Sequence, residues 1–257
     1  MKKQITIITV WFNEELNLPV LYDSLEKIEQ ILPHQKIYID QSSTDNSATI
    51  AQKYGCEVVI HPNQWYADPD KKWAVEELCE DNDWILILDA DETISPLLAQ
   101  EITEFLKEDK YDIGDMIISI YILGGEGQSV RQARLFQKKA MTITADIHHY
   151  LVPRSHNIKK LHHPIINIDQ KLIGKEIYSS IEKNNRYTDK ELTNLSHLPK
   201  RKIILNMLWM PLVWFFGHGI VHRQFLRGIP WLIVCTMMAQ YQWLIYAKLY
   251  EKKHIKW

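Results

Sequence analysis

Asp89-Ala90-Asp91 sets two carboxylates one small residue apart at the end of an apolar run, Trp84 to Leu88. A hard divalent cation takes oxygen ligands, and Mg2+ or Mn2+ is commonly shared between one or two carboxylates and substrate phosphates. The same residues could instead form an acidic strand-to-helix turn, with Asp91 or Thr93 capping the next helix. Two further polar positions favour the first reading. Asp40 closes the run from Lys36 and opens the turn Gln41-Ser42-Ser43-Thr44-Asp45, and Asn13 to Glu15 follow the run Ile5 to Val10.

The elements that must position these groups are legible in the apolar periodicity. Ile5 to Val10, Lys36 to Asp40, Glu57 to Ile60 and Trp84 to Leu88 are short runs suited to buried strands. Between them Leu16 to Leu32, Ala48 to Tyr54 and Lys72 to Glu80 read as helices, the first closed by Pro33 and the second by Gly55. Strands alternating with helices imply a parallel sheet, and ligands of such sheets sit at the carboxyl ends of the strands. Asn13, Asp40, Asp89 and Asp91 all fall there. Met116 to Ile122 and Ala133 to Phe136 read as further strands around a loop at Gly124 to Gly127, and a second layer begins near Lys171.

The 257 residues are 46% hydrophobic and 24% charged, which argues against disorder. The net charge of −2 conceals an asymmetry: from Leu198 onward nine Lys or Arg face one acid, Glu251, so the body is acidic and the tail basic. Cys56, Cys79 and Cys235 form no metal or redox pair, as expected of a reducing compartment. The opening Met1-Lys2-Lys3-Gln4 lacks the apolar core of a leader peptide, so a cytoplasmic location is expected.

In order along the chain, three segments resemble family 2 glycosyltransferases of the GT-A fold. Ile7 to Glu15 resembles the family's opening strand and Asn-Glu turn, Ile37 to Asp45 its Asp-x-x-Ser-Thr-Asp segment, and Trp84 to Glu92 its Asp-Ala-Asp-Glu segment. The resemblance implies an α/β GT-A domain, Rossmann-like with a mostly parallel sheet flanked by helices. It implies a nucleotide-sugar donor site drawn from Thr9, Asn13, Glu15, Asp40, Ser42, Lys72, Asp89 and Arg134, with Asp40 on the nucleoside and Asp91 on a Mg2+ or Mn2+ cofactor. Arg134-Leu135-Phe136, Ile147-His148-His149 and Asn185-Arg186-Tyr187 are similar to the lipopolysaccharide-core β-glucosyltransferase branch. That likeness implies UDP-glucose as donor and the inner core of lipopolysaccharide or lipooligosaccharide as acceptor.

An inverting transfer needs a base for the acceptor hydroxyl. Where the branch usually has Val-His-Glu, this chain has Ile147-His148-His149. His149 therefore stands at the base position, Asp146 is its rival, and His148 would approach the metal or diphosphate; loss of activity is the third reading. Lys72, in place of the family's Lys-Asn, is a candidate diphosphate contact or a solvated lysine. Arg134 could pair with the diphosphate through its planar fork or with a buried carboxylate. Arg131 stands where the family often has an acid.

Domains are expected at 1–198, with a nucleotide-sugar half to about 100 and an acceptor half beyond it, and at 199–257, a helical tail. Ile203 to Gly217 and Gly228 to Ala247 are apolar, flanked by Lys200-Arg201-Lys202 and by Lys248, Lys252 and Lys253, and the tail holds five of the nine tryptophans. Such a tail suits two helices lying on the inner leaflet of a bacterial inner membrane, though a span at 228–247 and packing against a second subunit are also open. Nucleic acid fits poorly, because no basic recognition helix is present. Two other functions share these motifs: transfer to polyprenyl phosphate, which needs no strong base, and non-catalytic binding of a sugar nucleotide at a membrane.

Overall fold

The computed structural model describes residues 5–63, 66–80, 83–123, 125–144, 151–170, 176–221 and 228–255. The chain divides into two compact units, 1–171 and 172–257.

In the first unit every side chain of β1 (Ile5–Trp11) is buried, as a strand covered on both faces requires. Its alternating side chains enter two layers. Ile5, Ile7 and Trp11 pack with Leu18, Leu21 and Leu25 of α1 (Leu18–Ile28), while Ile8 and Val10 pack with Ala74 and Val75 of α3 (Asp68–Leu78). Parallel to β1 on either side run β2 (His34–Asp40) and β4 (Trp84–Ile87), and β2 pairs in turn with β3 (Val58–Ile60). α1, α2 (Ser47–Lys53) and α3 are the connections. The sheet continues from β4 through β7 (Gly125–Gln137), β6 (Ile113–Ile122) and β10 (Ile158–Asn167) to β5 (Glu92–Thr93). β7 is antiparallel to β4 and β6, and β6 and β10 are parallel. A small antiparallel pair, β8 (Met141–Ile143) and β9 (Leu151–Pro153), stands apart.

Several expectations shift in detail. α3 begins at Asp68, four residues before Lys72, and Gly125 to Gly127 belong to β7 rather than to a loop. The helix after the two acids, α4 (Pro96–Glu108), is capped by neither Asp91 nor Thr93: the Ser95 hydroxyl accepts from Leu98 N at 3.1 Å. Thr93 lies in β5 instead. The acidic segment is thereby held at both ends by main chain. Leu88 N donates to Ile8 O at 3.0 Å, and Ile168 N donates to Asp91 O at 2.9 Å, next to the pairing of Glu92 with Asn167.

α4 is fastened to β10 by Glu101. Its Oε1 accepts from His162 N at 2.8 Å and faces His162 Nδ1 at 2.9 Å, and its Oε2 accepts from His163 N at 2.9 Å. These bonds give the two histidines a structural use. Burial would raise the Glu101 pKa, but the His163 and His162 contacts hold it below the ordinary carboxylate range. Glu101→Ala is expected to cost about 1–3 kcal/mol of unfolding free energy at neutral pH, read by urea denaturation. Because the folded pKa is the lower one, this stabilisation is present above the unfolded pKa and is lost as pH falls through the folded value. Variant and parent should converge in acid.

The second unit holds α5 (Glu176–Asn194), α6 (Lys200–Phe216), a π-helical turn at Gly217–Val221 and α7 (Ile229–His254). The boundary lies at 171 rather than at 198, because α5 folds with the tail. Leu192 of α5 shares a core with Leu198, Ile203, Tyr246 and Leu249. Lys248 Nζ donates to Asn185 O, Thr188 Oγ1 and Asp189 Oδ1 of α5 at 2.7, 2.9 and 2.7 Å. Among the described residues no helix is long and apolar enough to cross a membrane.

Candidate active site

The carboxyl ends of β1, β2 and β4 lie side by side, so Asn13, Asp40 and the Asp89 to Glu92 segment reach one edge of the sheet. At the end of β2, Asp40 folds onto its own turn: Oδ1 accepts from Ser43 N at 2.8 Å and from Ser43 Oγ at 2.5 Å. Among the described residues both of its hydrogen bonds go to Oδ1 and none reaches Oδ2.

The loops after β1 and β2 are stitched to each other. Asn13 and Ser42 both adopt left-handed backbone, φ 56° and 58°, which costs most side chains energy. Cross-bonds hold them there. Asn13 N donates to Ser43 Oγ at 2.9 Å, Thr44 N to Asn13 Oδ1 at 2.7 Å and Glu14 N to Ser47 Oγ at 2.8 Å. The Glu15 carboxylate accepts from Asn46 N at 3.1 Å and Nδ2 at 2.8 Å, beside the N-terminus of α2, where negative charge is favoured. The Ser42 hydroxyl donates to His61 O at 2.7 Å. Asn13, Glu15 and Ser42, expected on the donor, thus shape the rim through their side chains. Thr9 is fully buried on the Ile7 and Trp11 face, and its Oγ1 has no hydrogen-bond partner among the described residues. Strand alternation therefore places it in the core rather than on a binding surface.

At the end of β4 two cations, Lys71 and Arg134, interlock with two acids, Asp89 and Glu92, and a third acid, Asp91, lies beside them. Asp89 Oδ1 is 2.5 Å from Lys71 Nζ, and Oδ2 is 3.0 Å from Arg134 Nη2. Arg134 also reaches Glu92 Oε1 at 3.3 Å, and Glu92 Oε2 accepts from Asp89 N at 2.8 Å. Lys71, Arg134 and Glu92 are buried. The lysine facing the acids is Lys71; Lys72, the expected contact, pairs with Glu76 one turn along the same helix. The buried face of α3 explains the difference, since Asp70, Lys71, Ala74 and Val75 lie inside and Lys72 falls outside that stripe. Arg134 takes the buried-carboxylate alternative. Arg131 braces the sheet instead, donating from Nη1 to Asp115 O at 3.0 Å and from Nη2 to Leu161 O at 3.1 Å.

The three acids respond differently. Burial would raise Asp89, yet Lys71 and Arg134 hold it well below the carboxylate range. Glu92 is pushed up to about 7 by burial, with Arg134 opposing and Asp89 and Asp91 adding to the rise. Asp91 is pushed up to about 6 by burial, then by Asp89 and Asp169, against hydrogen bonds from Asn167 and its own backbone. A cation would relieve the crowding at Asp91. Among the described residues no group of three or more His, Cys, Asp or Glu is placed to hold a metal. The donor set fits an ion that takes one or two carboxylates and completes its shell from phosphates.

Some of this network was missed in the sequence. Asp70 accepts from Gln41 Nε2 at 2.6 Å and lies 3.2 Å from His61 Nδ1, and the His61 and Trp73 rings meet at a tilt of 52° with centroids 4.1 Å apart. Asn17, buried, donates to Asp169 Oδ1 at 2.8 Å and fixes that acid near Asp91. Helical periodicity could have singled out Lys71; nothing local signals Asp169. Asp146, His148 and His149, the candidate base and metal positions between β8 and β9, lie outside the described residues.

Residues 6–167 match the sequence model of Glycosyl transferase family 2. An uncharacterized glycosyltransferase, RC0292, of Rickettsia conorii is 26% identical, with 98% of this chain and 91% of that protein covered. RT0209 of Rickettsia typhi is likewise 26% identical, covering 97% of this chain and 87% of its own. Among solved structures the fold is similar to mannosyltransferase PcManGT from Pyrobaculum calidifontis, in complex with GDP-Man and Mn2+. The TM-score is 0.58 at 12% identity, over 99% of this chain and 89% of that one. It is also similar to S. aureus TarS 1-349 in complex with UDP-GlcNAc, with TM-score 0.53 at 13% identity, over 98% and 91% of the two chains.

Proposed function

Because the chain belongs to glycosyl transferase family 2, with its α/β GT-A fold and a nucleotide-sugar donor, we propose that it moves glucose from UDP-glucose, with inversion, to a lipid-linked core oligosaccharide of lipopolysaccharide type. The observation that carries this reading is the contrast between Asp89, clamped by Lys71 and Arg134, and Asp91, crowded by acids. The first acid is neutralised within the protein. The second is suited to a cation that arrives with a diphosphate.

In this reading Asp40 Oδ2 holds the nucleoside. Asp91, with His148, would hold Mg2+ or Mn2+, whose chemistry is to offset the charge developing on the departing diphosphate. Asp89 remains an oriented anion beside the donor sugar. His149 takes the proton from the acceptor hydroxyl as that oxygen attacks the sugar carbon opposite the diphosphate; Asp146 is the alternative base. UDP-containing and GDP-containing complexes of the similar structures support a nucleoside diphosphate donor but leave the sugar to experiment.

UDP release should be screened across UDP-sugars, with and without Mn2+ and a deacylated core oligosaccharide. Release from UDP-glucose that needs both is the expected result, and His149→Ala should lower it by about 100-fold to 10,000-fold. Full transfer to polyprenyl phosphate by that variant would move the acceptor to a phosphate. Absence of release with every donor would overturn the reading.

A further inference from the structure

The outer face of α6 departs from what a water-facing helix should show. Leu205, Leu208, Trp209, Leu212 and Phe216, with Ile220 in the turn that follows, are 48 to 65% exposed. At 100° per residue the five helical positions fall within an arc of about 100°, one continuous stripe along a helix about 25 Å long. The opposite side is occupied: Ile203 is fully buried, and Met207 and Met210 pack on the core shared with α5 and α7. The helix is therefore apolar on both sides, with one side covered within its own unit.

Charge identifies the partner. Lys200, Arg201 and Lys202 fill the first turn of α6, and the helix carries no acid. Arg201 and Lys202 are exposed and project on the same side as the stripe, one turn before Leu205. A second copy of the helix would bring an equal cationic turn and no acid to meet it. A layer of anionic headgroups over an acyl phase matches both parts, cation to headgroup and stripe to hydrocarbon.

We propose that α6 lies in the plane of an anionic lipid monolayer, inserting the Leu205 to Phe216 stripe with Arg201 and Lys202 at the headgroups. The inference stands apart from the donor and acceptor reading, since it concerns adsorption and not transfer.

The test is flotation of the full chain with vesicles of phosphatidylethanolamine and phosphatidylglycerol, compared with phosphatidylcholine alone. Binding is expected to the anionic vesicles and to weaken with salt. Arg201→Gln with Lys202→Gln should weaken it about 30-fold, from two basic side chains near the surface. Leu208→Gln with Leu212→Gln should weaken it about 100-fold or more, at an unchanged melting temperature. Should that variant misfold, quenching by brominated lipid that is reduced in Trp209→Phe gives the same answer. Equal flotation of parent and both variants would overturn the proposal. So would a parent that ignores vesicles and sediments as a dimer that Leu208→Gln with Leu212→Gln makes monomeric.

Discussion

Asp91→Asn is expected to reduce sugar transfer about 100-fold to 1,000-fold at saturating donor while leaving the fold intact. The asparagine keeps the shape of the site and removes the charge that would meet a cation. It also removes one of three crowded acids, so no loss of stability should accompany the loss of rate. Turnover measured beside Mn2+ titration calorimetry in the presence of UDP separates the two effects. Unchanged transfer with unchanged Mn2+ affinity would remove Asp91 from the site.

Arg134→Met should act in the opposite sense, through stability. Arg134 is 4% exposed and bridges Asp89 to Glu92, itself 1% exposed. Without Arg134 the Glu92 pKa rises further and the carboxyl takes up a proton at neutral pH, so the loss is that of the buried hydrogen bonds, about 1–3 kcal/mol. Asp89 keeps Lys71, so the damage centres on Glu92. Arg134→Lys keeps the charge but loses the Nε that donates to Gln132 Oε1, and should fall between parent and Met variant. Urea denaturation measures all three; a Met variant within about 0.5 kcal/mol of the parent, the ordinary range for surface changes, would show that the network does not hold this corner.

The strands that carry the acids were legible because buried parallel strands read as uninterrupted apolar runs. β1, β2 and β4 lie where the runs of Ile5, Lys36 and Trp84 place them. The side chains meeting at their ends were less legible. Lys71 and Lys72 are adjacent in sequence but point to different sides of α3, and only the spacing to Ala74 and Val75 separates them. The family resemblance points to Thr9 as a donor contact, whereas its place on β1 buries it on the face of Ile7 and Trp11. Glu92 and Arg134 meet across 42 residues, a distance that no local pattern encodes. In the tail, the apolar segments were plain in the sequence, but α5 joined them through Leu192 and the Lys248 contacts, which a periodicity does not reveal.

The stitched loops after β1 and β2 have a thermodynamic corollary. With Asn13 and Ser42 already locked by Ser43, Thr44 and the His61 carbonyl, this corner has lost its freedom before any ligand arrives. A ligand at that edge would meet loops already ordered by these bonds, so its affinity would reflect contacts formed more than motion quenched.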